Sequence, residues 1–208
     1  SQADFDTPRD FSETIPSGAQ IRIVAVDPSV AEAPRDECGI VVLGATKHRD
    51  LMKRHAWVLE DATIKASPEI WAQKVVDTAK KWNTRFVIVE MNQGHHLVKM
   101  AIRQIDASLI VIGVNSSKGK KLRAEPVSVV TKQRRVHMWG THTGLEDQAC
   151  TWVPEHTKGY SPDRVDAFVH GITALLIEPP EGLGAGPIRA SSKAKGRRLP
   201  KGGRGTGQ

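Results

Sequence analysis

Four carboxylates in this sequence occupy positions that could bring them together. Asp27 and Glu90 each follow directly on an apolar run rich in β-branched residues, as residues at the ends of buried strands do. Asp163 and Asp166 are three residues apart at the start of a later apolar stripe, a spacing that places both on one side of a helix. If the two apolar runs form neighbouring strands, all four acids can converge.

A cluster of carboxylates repels itself unless a cation neutralises it, and hard oxygen ligands suit Mg²⁺ or Mn²⁺. Two such ions ~4 Å apart can activate a water molecule and stabilise the leaving oxygen of a phosphodiester. The pattern therefore predicts a site for two Mg²⁺ or Mn²⁺ ions, with the four acids as metal ligands and catalytic residues. Taken singly, Asp27 could be a turn former and Asp163 a favourable first-turn acid. The occurrence of all four acids in these positions favours a catalytic metal site.

The elements that must position these acids predict an α/β domain with a mixed central β-sheet flanked by helices. Strands are predicted at residues 21–26, 39–43, 55–59, 85–89, 109–114 and 136–139, with the first three forming an antiparallel meander. Ser-Pro-Glu at 67–69 and Ser-Pro-Asp at 161–163 predict helix starts, and further helices are predicted after Gly94 and near 124–135 and 145–152.

Apolar spacing also predicts which helix faces are buried. The second predicted helix carries Leu97, Met100, Ala101 and Ile105. In the first predicted helix, the inward residues are Ile70, Trp71, Val75 and Ala79. In the last, they are Val165, Phe168, Val169, Ile172, Leu175 and Leu176.

The chain is long enough for one such domain, at residues 20–178, between a polar linker or lead-in (1–19) and a basic flexible tail (179–208). The formal charge is +7, but Glu181 to Gln208 holds seven basic residues and one acid. Because the domain itself is therefore nearly neutral, nucleic-acid binding by it must depend on local patches.

Two clusters of cations on this nearly neutral domain predict contacts with DNA phosphates. They comprise Lys118, Lys120, Lys121 and Arg123 in a loop, and Lys132, Arg134 and Arg135 further on. Charge runs are often only solvated surface, so each side chain has this alternative. A P-loop is excluded, because the nearest match has five residues between Gly113 and Gly119 and has Lys121 where Ser or Thr is required. ATP hydrolysis by this chain alone is not expected.

Six segments, in order, resemble the nuclease domain of tailed-phage terminase large subunits, within the RNase H-like and RuvC-like superfamily. They are IRIVAVDPSV, DECGIVVLG, RFVIVEMNQGHHLV, RAEPVSVVTKQRRVHMWG, LEDQACTWV and SPDRVDAFVHGITALL, together covering roughly Ile21 to Ile177. The resemblance implies an RNase H-like fold and a metal-dependent endonuclease that cuts concatemeric double-stranded viral DNA during genome packaging.

The same resemblance implies a role for each acid. Asp27 is the first-strand acid that bridges the metals, Glu90 is the fourth-strand acid, and Asp166 is the acid on the final helix. Asp163 is the less secure member, because some terminases have no acid at its position. Two alternatives stay open: a RuvC-like Holliday-junction resolvase, which the Asp163/Asp166 spacing also suits, and a non-catalytic DNA-binding or assembly module.

The expected partners are double-stranded DNA and, through the resemblance, a terminase ATPase domain, the small terminase subunit and the portal. Cys38 and Cys150 fit no disulfide framework and are expected to be reduced thiols. No run of ~20 apolar residues and no signal pattern is present, so we expect no membrane contact and a location in the host-cell cytoplasm.

Overall fold

The computed structural model describes residues 1–6, 9–28, 37–91, 95–115, 119–151 and 162–183. Its strands are β1 (Ile21–Asp27), β2 (Gly39–Ala45), β3 (Ala56–Asp61), β4 (Phe86–Met91), β5 (Ile110–Asn115) and β6 (Val136–Met138). They form one six-stranded sheet in the order β5-β4-β1-β2-β3-β6. The pairs β1–β2 and β2–β3 are antiparallel and the other three are parallel, which confirms the predicted meander and mixed sheet.

The helices lie in two layers, one on each face of this sheet. They are α1 (Gln2–Asp6), α2 (Pro68–Lys81), α3 (His95–Ile105), α4 (Lys120–Lys132), α5 (Thr143–Thr151) and α6 (Asp163–Ile172). A 3₁₀ turn follows β2 at Leu51–Lys53, and a π-helical turn continues α6 at Thr173–Ile177. None of the helices in the described part of the chain is long and apolar enough to cross a membrane.

Alternation along β1 divides the core in two, because successive side chains of a strand point to opposite faces. Ile23 and Ala25 face the layer that contains α6, together with residues of α1, α4 and α5. Val24 and Val26 face the layer of α2 and α3. The six stripe residues of α6 and its π-helical turn are all buried, as predicted.

The other helix faces were predicted less well. In α2, Trp71, Val75 and Ala79 are buried, but Ile70 is 56% exposed. In α3, Leu97 and Met100 are 69% and 57% exposed. Ile105 is also exposed, and the buried residues of α3 are Val98 and Ile102. The inward face of α3 is therefore defined by two branched residues four positions apart, Val98 and Ile102.

Residues 1–19, predicted to be a linker or lead-in, pack on the domain where they are described. Phe5 of α1 is buried in the core beneath α6. Arg9 donates two hydrogen bonds to the buried Glu146 of α5, at 2.8 and 2.7 Å. Asp10 forms a parallel bridge with Trp139 beside β6. Most of the basic tail, residues 184–208, lies outside the described residues.

Candidate active site

Strand register places Asp27 and Glu90 side by side. β1 and β4 are parallel, with Val26 paired to Val89, and each acid is the next residue on its strand. The preceding residues on the same face, Ala25 and Ile88, lie in the core beneath α6. Because side chains two residues apart share a face, both carboxylates project toward the α6 layer.

Helix α6 brings the other two acids to this point because two glycines let it approach the sheet closely. Gly39, paired with Asp27, lies under the Asp163 carbonyl group: a Cβ there would stand 2.6 Å from the carbonyl carbon. A Cβ on Gly171 would stand 2.9 Å from the Cβ of Ala25. Small residues at both ends of α6 therefore set its distance from β1 and β2.

Asp27 has an electrostatic environment that reflects this convergence. Its pKa is raised well above the usual value, first by burial and then by the charges of Asp166, Glu90 and Asp163, while Lys120 acts in the opposite direction. The structure thus brings together all four acids predicted from the sequence, although their catalytic roles remain a prediction.

Two cations of α4 also enter the acid cluster. Lys120 Nζ donates a hydrogen bond to Asp166 Oδ2, and the Lys120 side chain remains 41% exposed. Arg123 Nη1 lies 2.8 Å from Glu90 Oε1, and this guanidinium is mostly buried. The sequence had placed both residues in a loop, with the helix starting near residue 124. In the structure α4 begins at Lys120, so its first turn presents these cations to the acids.

His170 is a member of the site that sequence reasoning missed. It is buried, one helical turn beyond Asp166, with its Nε2 3.1 Å from Arg123 Nη1 and 3.6 Å from Glu90 Oε2. The available signal was its position four residues after an acid on the same helix, but the surrounding apolar stripe obscured it. An accepting Nε2 would help to fix the Arg123 guanidinium, which in turn holds Glu90.

Asp163 and the next residue brace the first turn of α6. The buried Asp163 carboxylate accepts a hydrogen bond from the Glu37 backbone N–H at 3.0 Å. The Arg164 guanidinium pairs with Glu37 and, at 3.0 Å, with Asp61 at the end of β3. These contacts hold the acid-bearing turn against β2 and β3.

The donor chemistry of this cluster fits a hard divalent cation, since carboxylate oxygens are the ligands that Mg²⁺ and Mn²⁺ prefer. Among the described residues, no three His, Cys, Asp or Glu side chains are gathered closely enough to hold an ion as they stand. Asp166 and Glu90 are instead paired with Lys120 and Arg123. A divalent ion would compete with these cations for the two carboxylates.

The remaining predicted DNA-binding residues separate into two groups. Lys121 is exposed in the first turn of α4, and Lys118 lies outside the described residues. Lys132 and Arg134 are exposed at the far end of α4, ~18 Å along the helix from Lys120. Arg135 is buried, and its guanidinium donates to the Leu51 and Arg54 carbonyl groups, which gives it a structural task.

The sheet is mixed, and its adjacent parallel strands β1 and β4 carry acids at their ends. Helix α6, which packs on these strands, carries two more acids. This arrangement defines an RNase H-like domain. Residues 24–175 match the family model described as the terminase RNaseH-like domain. The match covers most of the chain, and the chain belongs to this family. No curated protein sequence matches it.

Solved terminase structures have the same fold at low sequence identity. The human cytomegalovirus terminase nuclease domain, Mn soaked, is 12% identical with a TM-score of 0.53, over 83% of this chain and 92% of that one. The P22 large terminase nuclease domain is 12% identical with a TM-score of 0.59, over 83% and 91%. The large terminase of the thermophilic bacteriophage D6E, in complex with ADP, is 12% identical with a TM-score of 0.60, over 84% of this chain and 44% of that one.

Proposed function

We propose that this chain is a metal-dependent endonuclease that cuts double-stranded viral DNA during genome packaging, as the nuclease part of a terminase large subunit. Membership of the terminase RNaseH-like family supports the proposal. The observation that carries it is the convergence of acids from β1, β4 and α6, which raises the pKa of Asp27 through burial and three neighbouring carboxylates. Such a cluster is costly for a fold unless a cation is to be bound.

In the proposed mechanism Asp27, Glu90 and Asp166 hold two Mg²⁺ or Mn²⁺ ions, with Asp163 as an additional ligand or brace. When bound, the ions would supply an activated water and charge stabilisation at the leaving oxygen. Arg123 positions Glu90, which its guanidinium contacts directly. Lys120 is partly exposed and would contact a backbone phosphate once Asp166 binds metal. Manganese is supported by the Mn-soaked cytomegalovirus relative.

The wider assembly is proposed from the longer relatives. This chain spans 44% of the D6E large terminase, which was solved in complex with ADP. We infer that the nuclease works with a terminase ATPase domain, and that the small terminase subunit and the portal are further partners in the host-cell cytoplasm. Of the predicted DNA contacts, Lys120 is the one most directly supported, because it contacts Asp166 and remains partly exposed. Lys121 is exposed on the same turn of α4.

The test is plasmid nicking and linearisation with Mg²⁺ or Mn²⁺. We expect the parent chain to cut, and Asp27→Asn and Asp166→Asn to lose at least a hundredfold in rate, because each removes a charged metal ligand. Asp147→Asn is the matched control, since Asp147 is exposed on α5. An inert parent, or acid variants that cut normally, would favour the binding-module alternative. Faster cutting of four-way junctions than of linear duplex would favour the resolvase.

A further inference from the structure

One flank of helix α3 is basic. The helix contains no Asp or Glu. The flank beside the buried Ile102 presents His96, the half-buried Lys99 and Arg103, at the spacing that aligns residues along one side of a helix. Among the described residues, Lys99 and Arg103 form no ion pair and no side-chain hydrogen bond. The basic face of α3 is defined here by these three residues.

The basic face of α3 borders an open groove rather than a smooth surface. The groove has a volume of about 390 Å³ and is lined by His96, Lys99, Met100, Arg103, Gln104 and Ala107. Basic, amide and apolar groups thus lie together along it. The nearest acid beyond the helix, Asp106, is engaged by the Ser108 hydroxyl at 2.6 Å and lies near Lys80 and Arg85. The positive charge of the face is therefore not cancelled at its far end.

The location of this face relates it to the acid cluster. β4 ends one residue after Glu90, and α3 begins at residue 95, so the helix starts at the sheet edge that carries the acids. From that edge α3 runs back across the sheet, on the face opposite to the one that α4 covers. His96 and Arg103 are separated by ~10 Å along the axis, a length that spans about three phosphate steps of one DNA strand.

We propose that the basic face of α3 binds backbone phosphates of the duplex whose scissile bond lies at the acid cluster. The inference rests on the proposed nuclease function for the identity of the duplex. Lys99 and Arg103 contact phosphate oxygens, and Met100 packs against sugar in the groove between them. The duplex is thus held from two sides: by the first turn of α4 beside the acids, and by α3 across the sheet edge. Such contacts position DNA without reading its sequence.

The experiment measures duplex binding in EDTA, without cleavage, as a function of salt concentration. It compares the 208-residue parent with Lys99→Gln/Arg103→Gln, and uses Arg49→Gln/Lys53→Gln as a control with the same charge change. Arg49 and Lys53 are exposed beyond the end of β2, at the edge opposite the acids. All four residues are on the surface, and thermal unfolding verifies that the variants fold.

Each lost phosphate contact lowers the slope of log affinity against log salt by ~0.9. We expect the α3 variant to lose about 2 from this slope, so that raising salt from 50 to 200 mM costs it about tenfold less affinity than the parent. The control should keep the parental slope. A parental slope in the α3 variant, an equal loss in the control, or no binding by the parent would each overturn the inference.

Plasmid cutting with Mn²⁺, measured on the same proteins, separates this inference from the nuclease proposal. A parent that binds DNA through α3 in EDTA but never cuts would refute the nuclease and keep the binding face. If the parent cuts DNA and the α3 substitutions leave the salt slope of binding unchanged, the nuclease proposal stands and the binding face is refuted.

Discussion

Gly39 is the position at which one methyl group would test how the acid site is assembled. It pairs with Asp27 and lies under the first turn of α6. A Cβ at residue 39 would stand 2.6 Å from the Asp163 carbonyl carbon and closer still to its oxygen, whereas ordinary contacts begin at 3.4 Å. Because the obstructing atoms are main chain in a packed layer, the first turn of α6 must move by roughly 1 Å.

We expect Gly39→Ala to cut plasmid DNA about 100-fold more slowly, because a ~1 Å displacement in a reacting site can cost that factor. Its free energy of unfolding in urea should fall by about 1–3 kcal/mol, the usual cost of overpacking. Gly119→Ala is the control, since a Cβ there meets nothing within 4 Å. If Gly39→Ala cuts and unfolds like this control, the close approach of α6 does not place the acids and the argument is refuted.

Three further substitutions test other contacts. Arg9→Gln should lower the free energy of unfolding in urea by about 3 kcal/mol at pH 7, because it leaves a buried carboxylate unpaired. Arg9 lowers the pKa of Glu146 from 4.5 to about 2, so the stability that the pair contributes is fully present above pH 4.5 and is lost as the pH falls toward 2. If the difference in unfolding free energy between the parent and Arg9→Gln stays constant down to pH 3, the pairing does not have this role. Lys120→Gln should bind Mn²⁺ more tightly in calorimetry, because Asp166 loses its competing cation; unchanged affinity would count against competition. His170→Leu should reduce the cutting rate about tenfold and His170→Gln less, because glutamine keeps a hydrogen-bond acceptor; equal rates in the two variants would leave only a packing role.

The sequence was sufficient for most of the scaffold, and for a definite reason. β1 and β4 are buried on both faces, so residues 23–26 and 86–89 are all apolar, and the acid at the end of each strand is conspicuous. Helix α6 packs along its whole length, and its stripe is unmistakable. Convergence of the acids then follows once β1 and β4 are neighbours, which the resemblance supplied.

What the sequence did not reveal depended on contacts between distant segments. α4 begins at Lys120, where ion pairs to Asp166 and Glu90 offset the unfavourable position of cations at a helix N-terminus. The segment before β1 has a linker-like composition, and contacts with distant residues hold it on the domain, among them the pairing of Arg9 with Glu146, 137 residues away, and the burial of Phe5 in the core. Leu97 and Met100 of α3 have the hydrophobicity of core residues but the wrong helical phase.

The crowding of charge around Asp27 also has a consequence for the evolution of the domain. Folding brings its carboxylate into a partly buried position beside three others, a repulsion that the unfolded chain does not experience. The ion-free domain is therefore less stable than the same fold with a neutral residue there, and the deficit grows as pH rises above the ordinary pKa of an aspartate. Asp27→Asn should unfold at a higher temperature than the parent in EDTA. Selection for thermal tolerance alone would then favour a neutral residue at position 27, and selection for activity would favour the acid.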